Sequence, residues 1–395
     1  MHVRFSEQDE AFRREVAAWM DDALGGEFSV LRRHGAAQAD AMSHLEERRA
    51  WEKKLASGGW TCVGWPTEHG GRGLSLSQEV IFHEEYARAG APMRLNHMGE
   101  TLLGPTLIAF GTSEQKQRFL PPVVAGDEIW CQGFSEPNAG SDVANVQTRA
   151  WLEGDEWVIE GQKVWTSWAS AADWCFTLCR TDPDSKLHKG LTYLLIPMKQ
   201  DAVEVRPIEQ ITGESEFAEV FYNQARTRKD HLIAGPGDGW KVTMGTLAFE
   251  RGVSTLGQQM LFRSELLEII EAAKASGKAS DPIYRQRIAD AWIGLEMQRY
   301  NALRTLSAKD ATTEPAGLVT KLFWATWHRK LGELAMDVLG DEGQILQAAP
   351  YELTPLQQMF LFTRSDTIYG GTNQVQRNQI AERALGLPRE PRPTT

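Results

Sequence analysis

The sequence predicts an α+β protein in which a small β-domain or barrel lies between two helical regions. Apolar residues recur with helical spacing up to about residue 125 and again from Gly239 onward, whereas the period changes to simple alternation from about 126 to 233. Runs of strands between runs of helices are typical of α+β proteins, not of alternating βαβ units. We therefore expect an N-terminal α-helical domain at 1–125, a middle β-domain at 126–233 and a C-terminal helical bundle at 234–395.

The N-terminal region contains three predicted helices. Ser6 precedes an acidic first turn, as a helix cap does, and Phe12, Val16 and Met20 follow at helical spacing. Two further periodic stretches run near 46–57 and 75–89. The glycine-rich segment 64–73 lacks the lysine and the spacing of a P-loop, so we interpret it as an Ω-like structural loop.

The middle region contains apolar runs separated by Gly, Asp and Pro turns, which indicate strands. These runs are Val146, 157–159, 174–178, 191–196, 203–208 and 218–222. No G-x-G-x-x-G motif opens a helix here, so the sequence argues against a Rossmann dinucleotide site.

The C-terminal region has four long amphipathic stretches joined by short links marked by Gly or Pro. They cover about 240–275, 284–310, 315–340 and 355–385. Four such helices favour a four-helix bundle.

Composition excludes several classes of protein. A net charge of −11 over 395 residues argues against nucleic-acid binding. No apolar run approaches the roughly 20 residues of a membrane span, and the N-terminus lacks the apolar core of a signal peptide, so we expect a cytoplasmic protein. Cys62, Cys131, Cys175 and Cys179 are expected to be buried reduced thiols, and we predict no metal site.

One stretch, from Trp130 to Trp168, combines a tight turn with an indole and neighbouring hydroxyl groups. Its first half reads E-P-N-A-G-S-D at 136–142, which predicts a strand that ends in a tight turn. Its second half, G-Q-K-V-W-T-S at 161–167, places an indole beside two hydroxyl donors. An isoalloxazine ring, which is apolar on its face and polar along its edge, suits this pair, although an ordinary hairpin loop has a similar composition.

These two motifs resemble the middle domain of the acyl-CoA dehydrogenases, and I-Y-G-G-T-N-Q-V-Q-R-N at 368–378 resembles the C-terminal signature of that family. An acidic N-terminal helix extends the resemblance over nearly the whole chain. The resemblance implies FAD, an acyl-CoA substrate and oxidation at Cα–Cβ. It also implies an electron-transfer flavoprotein as acceptor, and assembly into a homodimer or homotetramer.

The catalytic base is the main departure from the family pattern. Many members have a glutamate after the tyrosine of Y-E-G-T, but this sequence has Gly370 in that slot. Either catalysis is lost, or another carboxylate reaches the same point. L-A-F-E-R-G-V at 247–253 resembles the helix from which the isovaleryl and long-chain types supply their base, which makes Glu250 the candidate. Leu247 and Val253 share its helix face, which suits a desolvated carboxylate, although most glutamates lie on a solvated face.

The resemblance assigns the other site residues one by one. It implies that the Gly370 backbone N–H is an oxyanion donor and that FAD contacts seven side chains. These are Phe134 and Ser135 at the pyrimidine edge, Ser141 at the pyrophosphate, Trp165 against the ring, Ser167 at the N5 and O4 edge, and Thr372 and Gln374 at the adenosine end.

Two segments depart from the family pattern at the inter-subunit FAD site. The region 276–287 lacks the R-x-x-F-G motif, and the candidates to replace its arginine are Lys278, Arg285 and Arg287. The region 337–343 has acidic residues in place of a Gln and a second Gly. Two alternatives therefore stay open. One is a non-catalytic or FAD-sharing subunit of a heteromeric dehydrogenase, and the other is a flavin oxidase or monooxygenase on the same scaffold. The identity of the acyl group is also left open by the sequence. Gly99, Gly245 and Gly252 favour a roomy pocket.

Overall fold

A computed structural model describes residues 5–32, 42–249, 254–306, 315–345 and 352–389. The described residues fall into two compact units. The first unit comprises 5–32, 42–81 and 91–249, and the second comprises 82–90, 254–306, 315–345 and 352–389.

The N-terminal part is helical, as predicted. Its helices are α1 (Glu7–Ala23), α2 (Leu45–Ser57), α3 (Leu76–Arg88), α4 (Gly104–Phe110) and α5 (Ser113–Val124). The predicted start of α1 is confirmed, because the Ser6 hydroxyl accepts from the Asp9 N–H at 3.1 Å and the Asp9 carboxylate accepts from the Ser6 N–H at 3.1 Å. This capping box satisfies two donors at the start of the helix.

The middle part is an eight-stranded sheet. Its strands are β1 (Trp130–Gly133), β2 (Arg149–Glu153), β3 (Glu156–Ser167), β4 (Trp174–Arg180), β5 (Leu191–Pro197), β6 (Val203–Ile208), β7 (Phe217–Arg228) and β8 (Leu232–Ile233). They are ordered β6-β7-β3-β2-β4-β5-β8, and β1 pairs in parallel with β4. The strand predicted at Val146 is wrong: Val146 follows a short 3₁₀ turn, and it is buried without belonging to a strand.

Successive residues of β4 face two different apolar clusters, as period-2 geometry requires. Phe176 and Leu178 belong to the cluster that also contains residues of α4 and α5, whereas Cys175 and Cys179 pack with β3 and β7 on the other face. All four cysteines are buried and free. The continuous apolar run of β4 therefore reflects burial on both faces.

The C-terminal part is again helical. Its helices are α6 (Gly239–Phe249), α7 (Ser254–Ala275), α8 (Pro282–Leu306), α9 (Pro315–Leu339), α10 (Pro355–Phe362) and α11 (Asn373–Gln379). In the second unit α7, α8 and α9 pack on one another, and α10 packs on α9. None of the helices within the described ranges is both long and apolar enough to cross a bilayer.

Two of the four predicted C-terminal helices differ from the structure. The stretch 240–275, predicted as one helix, contains two in the structure: α6 belongs to the first unit and α7 to the second. The predicted helix 355–385 is not continuous: α10 ends at Phe362, and Gly370 and Gly371 have φ values of 58° and 87° that a helix cannot contain. The overall fold class is confirmed, and the boundaries at 125 and 233 stay predictions.

Candidate active site

The two halves of the Trp130–Trp168 stretch lie side by side in the first unit. After β1 ends at Gly133, Glu136 and Ala139 exchange two backbone hydrogen bonds of 3.1 and 3.0 Å, which close the predicted tight turn. The Val164 N–H donates to the Ser135 carbonyl at 2.9 Å. This bond joins the turn to β3, so the residues of this stretch that are predicted to contact a flavin come from adjacent segments.

A buried ion pair lies beneath this turn. The Lys163 ammonium, whose side chain is fully buried, donates to Glu136 Oε1 at 2.8 Å, to the Leu178 carbonyl at 2.7 Å and to the Phe134 carbonyl at 3.3 Å. The Glu136 carboxylate also accepts from the N–H groups of Gln147 and Thr148 at 2.6 and 2.9 Å. Burial alone raises the pKa of Glu136, but Lys163 and these donors hold it below its ordinary value.

Sequence reasoning missed this pair. Both residues belong to the quoted motifs, yet 27 positions separate them, and spacing does not reveal which charges meet. Because the pair joins the Phe134 carbonyl, β3 and β4, it determines the path of the turn.

Trp165 stands out from the sheet on an irregular part of β3. The pairing of β3 with β7 shifts register between Lys163 and Thr166, and Trp165 has a φ of 58°, a left-handed conformation that is rare for a bulky residue. Its indole is 58% exposed and contacts the edge of Phe217 at a centroid distance of 6.2 Å. Such outliers cluster at functional sites, so this geometry supports a ligand-binding role.

The hydroxyl groups of the two motifs are available to a ligand. Among the described residues, none accepts or donates a hydrogen bond to the hydroxyl of Ser135, Ser141 or Ser167, and the buried Thr166 Oγ1 also has no partner there. Ser135 and Ser167 are half-buried, Ser141 is exposed and Phe134 is buried. An apolar indole with unused donors nearby fits the face and edge of a flavin.

The segment from Asn96 to Leu107 contacts the sheet. The Asn96 amide donates to the Glu128 carbonyl at 3.0 Å, and the Trp130 N–H donates to Asn96 Oδ1 at 3.2 Å. Thr106 and Thr246 share a buried hydrogen bond of 2.8 Å. These bonds place the start of the segment beside β1 and place α4 beside α6.

Two of the glycines predicted to favour a roomy pocket do not border open space. A Cβ at Gly99 would lie 2.4 Å from Asn96 Oδ1, and one at Gly245 would lie 2.6 Å from the Phe110 ring. These glycines therefore permit close packing, and they give no support to a large cavity. Gly252 lies outside the described residues.

Glu250 also lies outside the described residues, as do Arg251 and Val253. The described part of α6 ends at Phe249, the residue before it. Thr243 and Thr246, which lie seven and four residues before Glu250, are fully buried, and Leu247 packs on the apolar core of the first unit.

In the second unit, Gly370 and Gly371 form a turn of left-handed backbone with φ of 58° and 87°. The Gln376 amide donates to the Gly370 carbonyl at 3.3 Å. In the described part of this unit the Gly370 N–H donates no hydrogen bond, so it is available to an acceptor. Thr372 Oγ1 caps α11 by accepting from the Val375 N–H at 3.2 Å, and Gln374 is exposed.

A buried histidine lies beneath this turn, and sequence reasoning missed it as well. His328 of α9 contacts Glu265 Oε2 through Nε2 and Asp366 Oδ2 through Nδ1, both at 2.7 Å. All three side chains are buried. Burial alone lowers the pKa of His328, but attraction to Glu265 and hydrogen bonds to both carboxylates raise it to about 9.

The stability of the protein should therefore fall as pH rises past neutrality. A folded-state pKa of about 9, against an ordinary 6.5, means that the contribution of His328 is fully present below pH 6.5 and lost as pH rises through 9. We expect a loss of about 3 kcal/mol in the free energy of unfolding, measured by urea titration from pH 6 to 10. His328→Gln should flatten this dependence, whereas the control His69→Gln should preserve it. A fall of equal size in His328→Gln would contradict the assignment.

The three cations considered for the inter-subunit pyrophosphate differ in their surroundings. Lys278 donates to the carbonyls of Asp337 and Val338 at 2.8 and 2.9 Å, at the end of α9. Arg287 pairs with the Asp337 carboxylate at 2.6 Å. Arg285 is exposed and has no side-chain partner in the described ranges.

A β-sheet with helices before and after it in the chain, an exposed tryptophan and unused hydroxyls is the arrangement expected of a flavoprotein dehydrogenase. The N-terminal, middle and C-terminal domains of acyl-CoA dehydrogenases match residues 6–127, 131–224 and 237–385. The acyl-CoA dehydrogenase IpdE1 of Mycobacterium tuberculosis (strain ATCC 25618 / H37Rv) is 54% identical over 381 residues, which cover 96% of this chain and 98% of that protein. The chain belongs to the acyl-CoA dehydrogenase family.

Two solved structures are similar over the whole chain. The Tcur3481-Tcur3483 steroid ACAD is 29% identical, covers 99% of this chain and 100% of that one, and has a TM-score of 0.82. The ChsE4-ChsE5 complex from Mycobacterium tuberculosis is 28% identical with the same coverage and a TM-score of 0.82.

Proposed function

We propose that this protein catalyses FAD-dependent α,β-dehydrogenation of an acyl-CoA thioester to the 2-enoyl-CoA. The observation that supports it best is the hydrogen bond between Val164 and Ser135, which joins the two flavin motifs beside hydroxyls without protein partners. FAD, when bound, supplies the acceptor for the β hydrogen, which leaves as hydride.

Seven residues are proposed to hold FAD. Phe134 and Ser135 contact the pyrimidine edge, Trp165 lies against the ring, and Ser167 lies near its N5 and O4 edge. Ser141 binds the pyrophosphate, and Thr372 and Gln374 bind the adenosine end. Arg285 is the proposed cation for the pyrophosphate, because Lys278 and Arg287 already contact groups at the end of α9.

Glu250 is the proposed base that removes the α proton. A carboxylate does this well when it is shielded from water, because desolvation raises its pKa toward the working pH. The buried positions of Thr243 and Thr246 and the packing of Leu247 support a face shielded from water near the end of α6. The absence of a carboxylate after Tyr369 leaves the base to another residue.

The Gly370 N–H is the proposed donor to the thioester oxygen. Negative charge builds on that oxygen as the α proton departs, and a donor fixed in advance stabilises it. A backbone N–H serves this purpose whatever the side chain, so glycine at this position is compatible with the role. Its lack of a partner in the described residues supports the assignment.

A steroid-type acyl group and an electron-transfer flavoprotein are the proposed substrate class and electron acceptor. The first follows from similarity to a protein described as a steroid ACAD. A cytoplasmic location and a role in β-oxidation accord with this chemistry.

A heteromeric enzyme is the second candidate. The ChsE4-ChsE5 structure contains two different chains, and the departures at 276–287 and 337–343 affect the segment predicted to meet a neighbouring subunit. In a heteromer, this chain shares its flavin site with a partner chain. The alternative assembly is a homodimer or homotetramer.

Purification of the chain alone tests these proposals. We expect a yellow protein whose flavin absorbance bleaches when steroid-type acyl-CoA is added without oxygen. Straight-chain and branched acyl-CoA esters serve as comparisons. A colourless chain that becomes active with a partner dehydrogenase chain would establish the heteromer instead. Oxygen consumption without an electron acceptor would indicate an oxidase.

A further inference from the structure

The buried group formed by Glu265, His328 and Asp366 is connected directly to the turn that contains Gly370. Asp366 Oδ2 accepts from His328, while its other oxygen, Oδ1, accepts from the Tyr369 hydroxyl at 2.9 Å. Tyr369 immediately precedes Gly370. A continuous chain of hydrogen bonds therefore runs from α7 through α9 to this turn.

The geometry suits an imidazolium. With a proton on each ring nitrogen, His328 donates to Glu265 and to Asp366 at once, and each bond is charge-assisted at 2.7 Å. The Phe262 ring lies 4.1 Å from the histidine ring and covers it. Because both carboxylates are hydrogen-bonded to one buried cation, Asp366 is held in a single orientation.

The turn is also held at its backbone. Lys321 donates to the Asp366 carbonyl, and its ammonium lies 4.9 Å from the centre of the Tyr369 ring. The N–H groups of Ile368 and Tyr369 both donate to the Ser365 carbonyl, at 2.8 and 3.1 Å. The free Gly370 N–H thus follows directly after a segment fixed by four separate contacts.

The arrangement does not resemble a metal site. The histidine nitrogens and carboxylate oxygens bond each other directly, and within the described ranges no group of three His, Cys, Asp or Glu side chains is disposed to hold a metal ion. A stabilising role alone needs only the ion pairs. It does not require the hydrogen bond from the hydroxyl of Tyr369, a residue that is 41% exposed.

We propose that Glu265, His328 and Asp366 form a positioning triad, which acts through the Tyr369 hydroxyl to hold the Gly370 N–H toward the thioester oxygen. This inference rests on the proposed dehydrogenation. Displacement of a donor by even 1 Å weakens transition-state stabilisation strongly, so the triad contributes to rate through geometry without touching substrate.

Tyr369→Phe tests the proposal, because it removes the hydroxyl and keeps the ring. Tyr300→Phe is the matched control: it removes the phenol hydroxyl of a residue on α8 that is 52% exposed, elsewhere in the second unit. We expect Tyr369→Phe to lower kcat about 10- to 100-fold, counted per bound flavin, with KM within about twofold of the parent. Tyr300→Phe should match the parent.

A second readout separates positioning from mere stability. The carbonyl stretch of a bound steroid-type 2-enoyl-CoA, labelled with ¹³C at the thioester carbonyl, should move to higher frequency in Tyr369→Phe because the oxygen is less polarised. An unchanged band overturns the triad's role, whatever the rate. A kcat of Tyr369→Phe equal to that of the parent also overturns the triad's role but leaves the proposed dehydrogenation unaffected. A parent protein that no acyl-CoA reduces overturns both.

Discussion

Replacement of Glu250 with glutamine should slow anaerobic flavin reduction by acyl-CoA about 10²–10⁴-fold, the usual cost of losing a positioned base. Glutamine has nearly the same shape but cannot accept the α proton at neutral pH. FAD should remain bound, because none of the residues proposed to contact it changes. Stopped-flow measurement of the flavin absorbance, at saturating acyl-CoA, gives the rate of this step directly.

Glu271→Gln is the matched control. Glu271 lies on α7 and pairs at 2.6 Å with Lys274 on an exposed helix face, so its loss should leave the rate within about twofold, as expected for surface substitutions. If Glu250→Gln reduces its flavin as fast as the parent, Glu250 is not the base. If both variants are active only in the presence of a second chain, the partner chain supplies the base.

Local patterns predicted the helices and strands well where burial follows a simple period. The start of α1 depends on Ser6 and its acidic first turn, and both lie within four residues of each other. The run from 191 to 196 became β5 because every position in it is apolar or small enough to be buried. At Val146 the same reasoning failed, since an isolated apolar residue is buried just as well from a loop.

The residues of the motifs could be identified from the sequence, but the contacts that hold them in place could not. Glu136 and Lys163 are 27 residues apart, and Glu265 and His328 are 63 apart. A charged residue in an apolar helix or strand shows only that it needs a partner. Which partner it finds depends on how the helices and strands pack.

His328 illustrates the limit most clearly. The four positions before it on α9 contain two tryptophans and a threonine, so the helix alone suggests an ordinary core histidine. Only the packing of α7 against α9, and the turn at 365–367, brings two carboxylates to its ring.

Lys163→Met should destabilise the protein by about 3–5 kcal/mol, because it leaves the Glu136 carboxylate buried without a counter-charge. Lys53→Met is the control for loss of an exposed ion pair. Lys53 contacts Asp127 at 3.2 Å, and both side chains are more than half exposed, so its removal should cost less than about 1 kcal/mol. Urea unfolding of the two variants measures the difference.

The double variant Lys163→Met with Glu136→Gln distinguishes an unpaired charge from a simple cavity. Glutamine carries no charge, and its single oxygen can still accept from the N–H of Gln147 or of Thr148, so part of the lost stability should return. Flavin content should not recover to the same extent, because the Phe134 carbonyl still lacks the Lys163 donor and the turn before Ser141 is less constrained. If the single and double variants are equally unstable, lost packing around the lysine stem is responsible. If both retain full flavin content, the ion pair stabilises the sheet without shaping the flavin site.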